Sequence, residues 1–328
     1  MKSINKTNSI RTKIFRAILR GEFVPGEKLP TEREMGTMTQ SSRVTVRRAY
    51  QQLEESKILQ RIQGRGTFVT SHSEGNQEKC QQVALLTAIN DDFALRFVRE
   101  VETVLTSLDI LLVLRITDDL PAKEEEAAID LVGKGINNLI IWPTGNALVT
   151  DTFRRLRVLG TNMVFFDRII PRDFADYVGV DNIDVMNKLF MHAEKNNLTH
   201  PLFFTHRNLK FDSNQARIQA FIQNCQTRNL PYSIIDITRQ QQLTELPLTI
   251  DSNNTIFCVN DEVAEQIKPF VNQLPVYSID GFSDYAVSYQ QPIKAMAQLA
   301  VKLLLKQQQK GSKWRAEKHF LKGKLINV

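Results

Sequence analysis

The chain has 328 residues, of which 42% are apolar and 24% charged, with 42 Lys and Arg against 36 Asp and Glu. That length accommodates two or three domains with a sizeable core. No apolar run approaches the roughly 18–20 residues of a membrane span, and "MKSINKTNSIRTKIF" lacks the apolar stretch of a secretory signal. Three widely spaced cysteines, Cys80, Cys225 and Cys258, argue against a disulfide scaffold and for free thiols in a reducing cytoplasm.

The positive charge is confined to one end. Residues 1–72 hold 14 Lys and Arg against 6 Asp and Glu, a net of +8, while the remainder is close to neutral at −2. A small cationic module on a neutral body is the electrostatic footprint of a nucleic-acid-binding head. In chain order, "IRTKIFRAILRGEF" sets Ile10, Ile14, Ala17 and Ile18 at helical spacing. "VPGEKLP" predicts a turn. "TERE" offers a capping box, Thr31 with Glu34, that opens a second helix. "TQSS" supplies a cap for a third helix from about Ser42, with Val46, Ala49, Tyr50 and Leu53 on its apolar face. Arg43, Thr45, Arg47 and Arg48 fall outside that stripe, Arg48 closest to its edge. "KILQRIQGRGTFV" then reads as a hairpin, its Gly64–Gly66 turn carrying Arg65 at the tip. The expectation is a winged helix-turn-helix, whose third helix enters the major groove while flanking cations and hydroxyls set the register on phosphates.

"LPTEREMGTMTQSSRVTVRRAYQQLEESKILQRIQGRGTFV" resembles the DNA-binding domain of the GntR family over roughly residues 8–70. The resemblance implies that Arg33, Ser42, Arg43, Thr45 and Arg47 contact double-stranded DNA, with Arg48 a further candidate. Gln63, Gly64 and Arg65 would form the wing tip. "TMTQSS" departs from the leucine-glycine turn usual in the family.

"TSHSEGNQEKCQQ" is polar and aperiodic, so a tether is expected over 71–82, spanning about 20 Å if fully flexible. From Val83 the texture changes. "VALLTAI", "ILLVLRI", "NLIIWPT", "NMVFFDR", "PLFFTH", "NTIFCVND" and "PVYSIDG" are short apolar runs, most of them separated by segments of helical periodicity. Such alternation predicts βαβ units around parallel sheets, with ligands bound beyond the carboxyl ends of the strands. The expected division is residues 1–70 as head, 71–82 as linker, and 83–328 as an α/β body.

"DLVGKGINNLIIWPT", "FFDRIIPRDFADYVGVDN", "ARIQAF", "CVNDEVA", "SIDGF" and "QQPIKAMAQLAVKLLL" resemble the effector domain of LacI/GalR regulators, itself similar to periplasmic sugar-binding proteins. The resemblance implies two Rossmann-like lobes, with crossings near Asp181-Asn182, near Gln291-Pro292 and near the C-terminus. A GntR-type head on such a body is the arrangement of arabinose-repressor-like regulators. Carried position by position, the resemblance puts Phe93 against a sugar ring, with Asp91, Arg168, Arg217, Asn260, Asp280 and Gln291 as polar ligand contacts. Asp167 is expected to orient Arg168 or cap a turn, Asp261 to cap a helix, and Asp118-Asp119 to be turn residues.

The five histidines are scattered without metal-ligand spacing, and no Gly-x-Ser-x-Gly, phosphate-binding loop or Cys-x-x-Cys occurs. No metal, no cofactor and no catalytic site are expected, and the protein is not expected to be an enzyme. The expectation is a cytoplasmic homodimer on a pseudo-palindromic operator, most plainly a repressor controlled by a monosaccharide. The rival reading is a DNA-binding dimer whose body serves only oligomerisation or answers a non-sugar metabolite.

Overall fold

The computed structural model of the chain describes residues 2–70, 80–89, 91–170, 173–206, 212–237, 250–271 and 274–327. The expected tether lies for the most part, at 71–79, outside the described residues.

Helix α1 (Lys2–Leu19) buries Ile10, Ile14, Phe15 and Ile18, so Phe15 joins the stripe that the spacing suggested. Helix α2 (Glu32–Met38) opens on the expected capping box: the Glu34 amide donates to Thr31 Oγ1 at 3.3 Å and the Thr31 amide to Glu34 Oε2 at 2.8 Å. The turn to α3 is tight. Gln40 takes a φ of 53°, and a Cβ on Gly36 would stand 2.9 Å from the Ser41 carbonyl oxygen, so only glycine fits there. Helix α3 (Arg43–Glu55), capped by Ser42, buries Val46, Ala49, Tyr50 and Leu53. Strands β1 (Leu59–Ile62) and β2 (Gly66–Val69) pair antiparallel as the wing. Gly64 and Gly66, at φ 74° and 119°, make its turn.

The body alternates as its sequence predicts. Strands β3 (Gln82–Thr87), β4 (Leu111–Ile116), β5 (Asn138–Ile141), β6 (Asn162–Phe166) and β7 (Asp176–Val180) are interleaved with α4 (Asp92–Ser107), α5 (Pro121–Gly133) and α6 (Ala147–Val158). Their sheet, completed by the later strand β13 (Lys318–Leu321), is parallel throughout, in the order β13-β7-β6-β5-β3-β4. The chain then crosses at Asp181 into a second lobe of α7 (Asn182–Lys195), β8 (His200–Thr205), α8 (Asp212–Thr227), β9 (Ser233–Asp236), β10 (Asn254–Cys258), α9 (Asp261–Ile267), β11 (Val276–Asp280) and β12 (Val287–Gln290). It returns at Gln291-Pro292 into α10 (Ile293–Lys310) and β13 (Lys318–Leu321) of the first lobe, and crosses a third time into β14 (Lys324–Ile326), which pairs antiparallel with β12. These are the three crossings expected. Both sheets carry helices on their faces, so β7, β10 and β11 are buried along their whole length.

Helix α10 seals the first lobe by packing Met296, Ala297, Ala300, Val301 and Leu304 with Phe97, Val101 and Leu105 of α4. One polar side chain is built into this seal. Gln307 is fully buried, and its Nε2 donates to the Met163 carbonyl and to Asp176, each at 2.7 Å.

The head does not stand apart from this body. Ile10, Ile14 and Phe15 of α1 belong to the same apolar cluster as Ala128, Leu131 and Val132 of α5 and Phe153 of α6. Polar contacts frame the junction. Arg11 stands 3.5 Å from Asp130, Ser56 Oγ donates to the Gly133 carbonyl at 3.0 Å, and Arg155 donates to the Leu19 carbonyl at 2.5 Å. Phe15 lies against Gly133, where an added Cβ would touch its ring at 3.5 Å. Because the two units share one core, Phe15→Ala is expected to cost about 3–5 kcal/mol in urea unfolding. Amide-exchange protection should fall in α5 as well as in α1; a loss confined to α1 would show that the junction adds no stability.

Candidate functional site

Glu32, at the start of α2, organises the exposed face of the head. Its carboxylate receives Arg43 Nε at 3.2 Å and Arg47 Nε at 3.3 Å, and stands 3.6 Å from Arg61 of the wing. Partial burial raises its pKa, but hydrogen bonds from Arg43 and Arg47 outweigh that and hold it below the usual carboxylate range. Together with Lys28, Arg33, Gln63 and Gly64 these side chains line a groove of about 640 Å³ between α3 and the wing. Arg43 and Arg47 remain 72% and 61% exposed, so their pairing with Glu32 is solvent-screened and costs little to exchange for phosphate. Ser42 and Thr45 are mutually bonded at 2.8 Å as part of the α3 cap. Arg48 and Arg65 are exposed but do not line the groove. The sequence reading missed Glu32, Arg61 and Lys28. The signal for Glu32 was present in "TERE", but it was spent on the capping box.

A second concavity, of about 770 Å³, lies between the lobes. The N-terminus of α4 forms one wall with Asp91, Asp92 and Phe93; α9 and the end of β11 form the other with Asn260, Glu262, Asp280 and Phe282. Asp91 and Asn260 are the N-caps of their helices, accepting from the Ala94 and Val263 amides at 2.7 and 2.9 Å. Phe93 packs edge-on against Trp142 at 5.6 Å and stacks on Phe166 at 6.1 Å. Of the seven expected ligand contacts, the structure thus places Asp91, Phe93, Asn260 and Asp280 along the cleft.

Arg217 and Gln291 stand behind Asp280 rather than in the cleft lining. Gln291 Nε2 donates to Asp280 Oδ1 at 2.7 Å, and Arg217 lies 3.9 Å from the same oxygen while donating to the Val259 carbonyl at 2.8 Å. Burial pushes the Asp280 pKa well above the carboxylate range; Arg217 opposes this, and Asp261 and Asp91 reinforce it. The Asp280 backbone sits at φ 116°, a strained region for a residue with a side chain. Asp91 is also shifted upward, first by the surrounding protein and then by Glu262 across the cleft and by Asp167.

Two assignments change. Arg168 is held in a fork by Asp119, at 2.6 and 3.3 Å, and donates to the Pro143 carbonyl at 3.1 Å, so it does not line the cleft. Asp119 is therefore more than a turn residue, although its φ of 55° fits a turn. Asp261 is not the cap of α9, a position taken by Asn260. It instead gathers the β11–β12 loop, accepting from Ser278 and Ser288 and from the Phe282 and Ser283 amides. Phe282, Ser283 and Glu262 line the cleft without having been foreseen; the loop after β11 carries no periodic signal that would have found them.

No group of His, Cys, Asp and Glu among the described residues is arranged to hold a metal. All three cysteines are buried, free thiols, and burial raises their pKa, that of Cys225 to about 12. Thiols of that kind are poor nucleophiles. No described helix is long and apolar enough to cross a membrane.

Residues 6–69 match the family described as "Bacterial regulatory proteins, gntR family". The head is a GntR-type helix-turn-helix domain. Over 147 residues the chain is 32% identical to the arabinose metabolism transcriptional repressor of Geobacillus stearothermophilus, which covers 44% of this chain and 40% of that protein. A further 60 residues' alignment, at 52% identity, is with the mannosyl-D-glycerate transport/metabolism system repressor of Escherichia coli (strain K12), covering 18% of this chain and 25% of that protein. The chain thus aligns with less than half the length of either repressor. Beyond the GntR-type head, the body has the two-lobed fold of LacI-type regulators. It superposes on a periplasmic binding protein/LacI transcriptional regulator from Alkaliphilus metalliredigens QYMF, complexed with D-xylulofuranose, with a TM-score of 0.62 at 18% identity over 75% of this chain and 97% of that one. The trehalose repressor of Escherichia coli gives 0.65 at 12% identity over 76% of this chain and all of that one.

Glu124 of α5 is buried and accepts from the Thr144 amide at 3.0 Å and the Thr144 hydroxyl at 2.5 Å. Burial dominates, and its pKa rises from 4.5 to about 7. The folded chain therefore binds this proton more tightly than the unfolded chain. The resulting stability is complete below about pH 4.5 and is lost as the pH rises through about 7. Glu124→Gln is expected to remove this term, worth on the order of 3 kcal/mol, and to leave the variant more stable than the parent at pH 8. Urea unfolding at pH 5 and pH 8 measures the difference; equal pH dependence in both proteins would contradict it.

Proposed function

We propose that the protein is a sequence-specific transcriptional repressor, working in the cytoplasm as a homodimer, whose hold on a pseudo-palindromic operator is released by a monosaccharide bound between the lobes. The observation that carries this reading is that the GntR-type head shares its core with the lobe that forms half of the cleft. A movement of that lobe cannot leave the head behind.

On the DNA side, Arg33, Arg43 and Arg47 reach base edges and phosphates in the major groove, with Ser42 and Thr45 aligning the helix start and Arg48 touching the flanking backbone. The wing tip of Gln63, Gly64 and Arg65 follows the neighbouring strand. Glu32 keeps the arginines splayed until phosphates replace it, and counterion release favours the complex.

On the ligand side, the lining holds Asp91, Asp92, Asp261, Glu262, Glu265 and Asp280, and no Lys or Arg among the described residues. Carboxylates accept from hydroxyls and repel anions, so this wall favours a neutral sugar over an acidic or phosphorylated one. Phe93 offers the ring face, Asn260, Asp91 and Asp280 read hydroxyls, and Arg217 and Gln291 hold Asp280 in place.

Dimerisation gains support from β4, the outer strand of its sheet, where Leu111 and Ile116 are 67% and 53% exposed beside Leu108 and Leu120. An apolar sheet edge invites association, and a second copy is the covering that keeps it soluble.

A panel of pentoses and hexoses tested by thermal shift checks the effector. A matching sugar at a hundred times its Kd stabilises by about 2.7 kcal/mol, and Asp280→Asn should abolish that shift while leaving DNA binding intact. No shift with any sugar at millimolar concentration would favour a body that serves only dimerisation. On the DNA side, Arg43→Ala is expected to weaken the specific complex by about 1–3 kcal/mol in a binding titration at fixed salt. Unchanged affinity would remove α3 from the major groove.

A further inference from the structure

Helix α3 sorts its side chains into distinct settings. At about 100° per residue, Val46, Ala49, Tyr50 and Leu53 turn into the core of the head. Arg43 and Arg47 lie to one side, drawn to Glu32 and the groove beside the wing. The face directly opposite the core carries Val44, Arg48, Gln51 and Glu55, all of them exposed. Val44 is the member of that outward face in the first turn of the helix, and it is 60% exposed. When such a helix lies in the major groove its amino-terminal residues meet the base edges. The side chain aimed most directly at the bases is thus an apolar one.

A lone apolar side chain is ordinary on a protein surface, so its surroundings decide what it means. Around it Arg43, Arg47 and Arg48 carry exposed charge, and the Ser42 and Thr45 hydroxyls are bonded to each other at 2.8 Å. Valine neutralises no phosphate and makes no hydrogen bond. It is also a poorer helix former than the lysine, glutamine or alanine that would serve a merely solvated position. Base pairs present mostly donors and acceptors in the major groove, and the C5 methyl of thymine is the apolar exception. Set against the edge of a G·C pair, the valine would cover polar groups and replace none of their hydrogen bonds to water. Set against thymine, it and the methyl group remove each other from water.

We infer that Val44 is a specificity-determining residue of the head, packing on the C5 methyl group of one thymine in each half-site. The assignment rests on the repressor reading above and deepens it. Arginine forks select guanine, and Val44 adds a T·A pair that they do not select.

The full-length protein tests this on DNA of its own choosing. Its preferred duplex is first recovered from random-sequence DNA. Each thymine of the half-site is then replaced by deoxyuridine, which pairs with adenine identically and lacks only the methyl group. Titration at fixed salt is expected to show one thymine per half-site whose loss of the methyl weakens binding about fourfold, the worth of one buried methyl group. In Val44→Ala the penalty at that thymine should largely disappear, while the dependence of affinity on salt stays that of the parent because no phosphate contact is lost. Alanine is the better helix former at this exposed position, so the variant's melting temperature should match or exceed the parent's. A parent indifferent to deoxyuridine at every thymine, or the same penalty in parent and variant, would overturn the assignment and leave the repressor reading standing. Recovery of no preferred sequence from the random DNA would overturn both.

Discussion

The packing of α1 on α5 and α6 is the constraint on which the rest of the molecule turns. A helix-turn-helix of some seventy residues has a core too small for much independent stability, and here its first helix extends that core into the neighbouring lobe through Ile10, Ile14 and Phe15. The contact runs across Gly133, where even a methyl group would meet the Phe15 ring at an ordinary 3.5 Å. Asp130 adds a charge node that binds Arg11 of the head together with Arg115 and Lys134 of the lobe itself. The recognition face, organised by Glu32, is carried on α3 and the wing, which remain exposed. Rigidity at one end of the head and open cationic surface at the other are what a transmitted switch requires.

The interlobe cleft follows from connectivity. Parallel strands deliver their carboxyl ends to one edge of each sheet, and three crossings set those edges face to face. Each lobe then contributes a helix start, α4 with Asp91 and α9 with Asn260, whose caps double as cleft wall. Asp280 is the point where geometry and electrostatics meet. It ends β11 in a strained backbone conformation, is fixed by the crossing residue Gln291, and keeps Arg217 within 3.9 Å. A strained, over-determined carboxylate beside a hinge is a pre-organised group, because the surrounding contacts maintain a conformation the local backbone disfavours.

Much of this was legible from local patterns. The capping box at Thr31, the apolar face of α3 and the Gly64–Gly66 wing turn are short-range features whose physics lies within a few residues, and each took its expected form. The alternating body was equally plain, since buried parallel strands read as apolar runs. What escaped reading was long-range. Glu32 acquires its role from Arg61, twenty-nine positions away and on another element. Arg168 meets Asp119 across two intervening strands, because the loops after β4 and β6 leave the same edge of the parallel sheet. Asp261 lies beside a cap position, and its true partners are two serines and two amides of a later loop. Nothing in the spacing of α1 announced that its apolar face would be shared between the head and a lobe.

The carboxylates of the cleft bear on how closure is controlled. Asp91 belongs to one lobe and Glu262 and Asp280 to the other; across the gap Glu262 adds to the raised proton affinity of Asp91, and Asp91 to that of Asp280, both raised first by burial. Bringing two ionised carboxylates, one from each lobe, to 4 Å at an effective dielectric of 20 costs about 4 kcal/mol, comparable with or larger than the roughly 1–3 kcal/mol of a typical allosteric coupling. The cleft therefore resists closing on itself. In the proposed function a neutral polyol changes this balance because its hydroxyls donate to carboxylates of both lobes at once, separating them and satisfying them in the same act. An anionic ligand would add to the repulsion instead. Under that proposal the acidic lining accounts both for selection of an uncharged ligand and for the opening force that makes its binding a change of state.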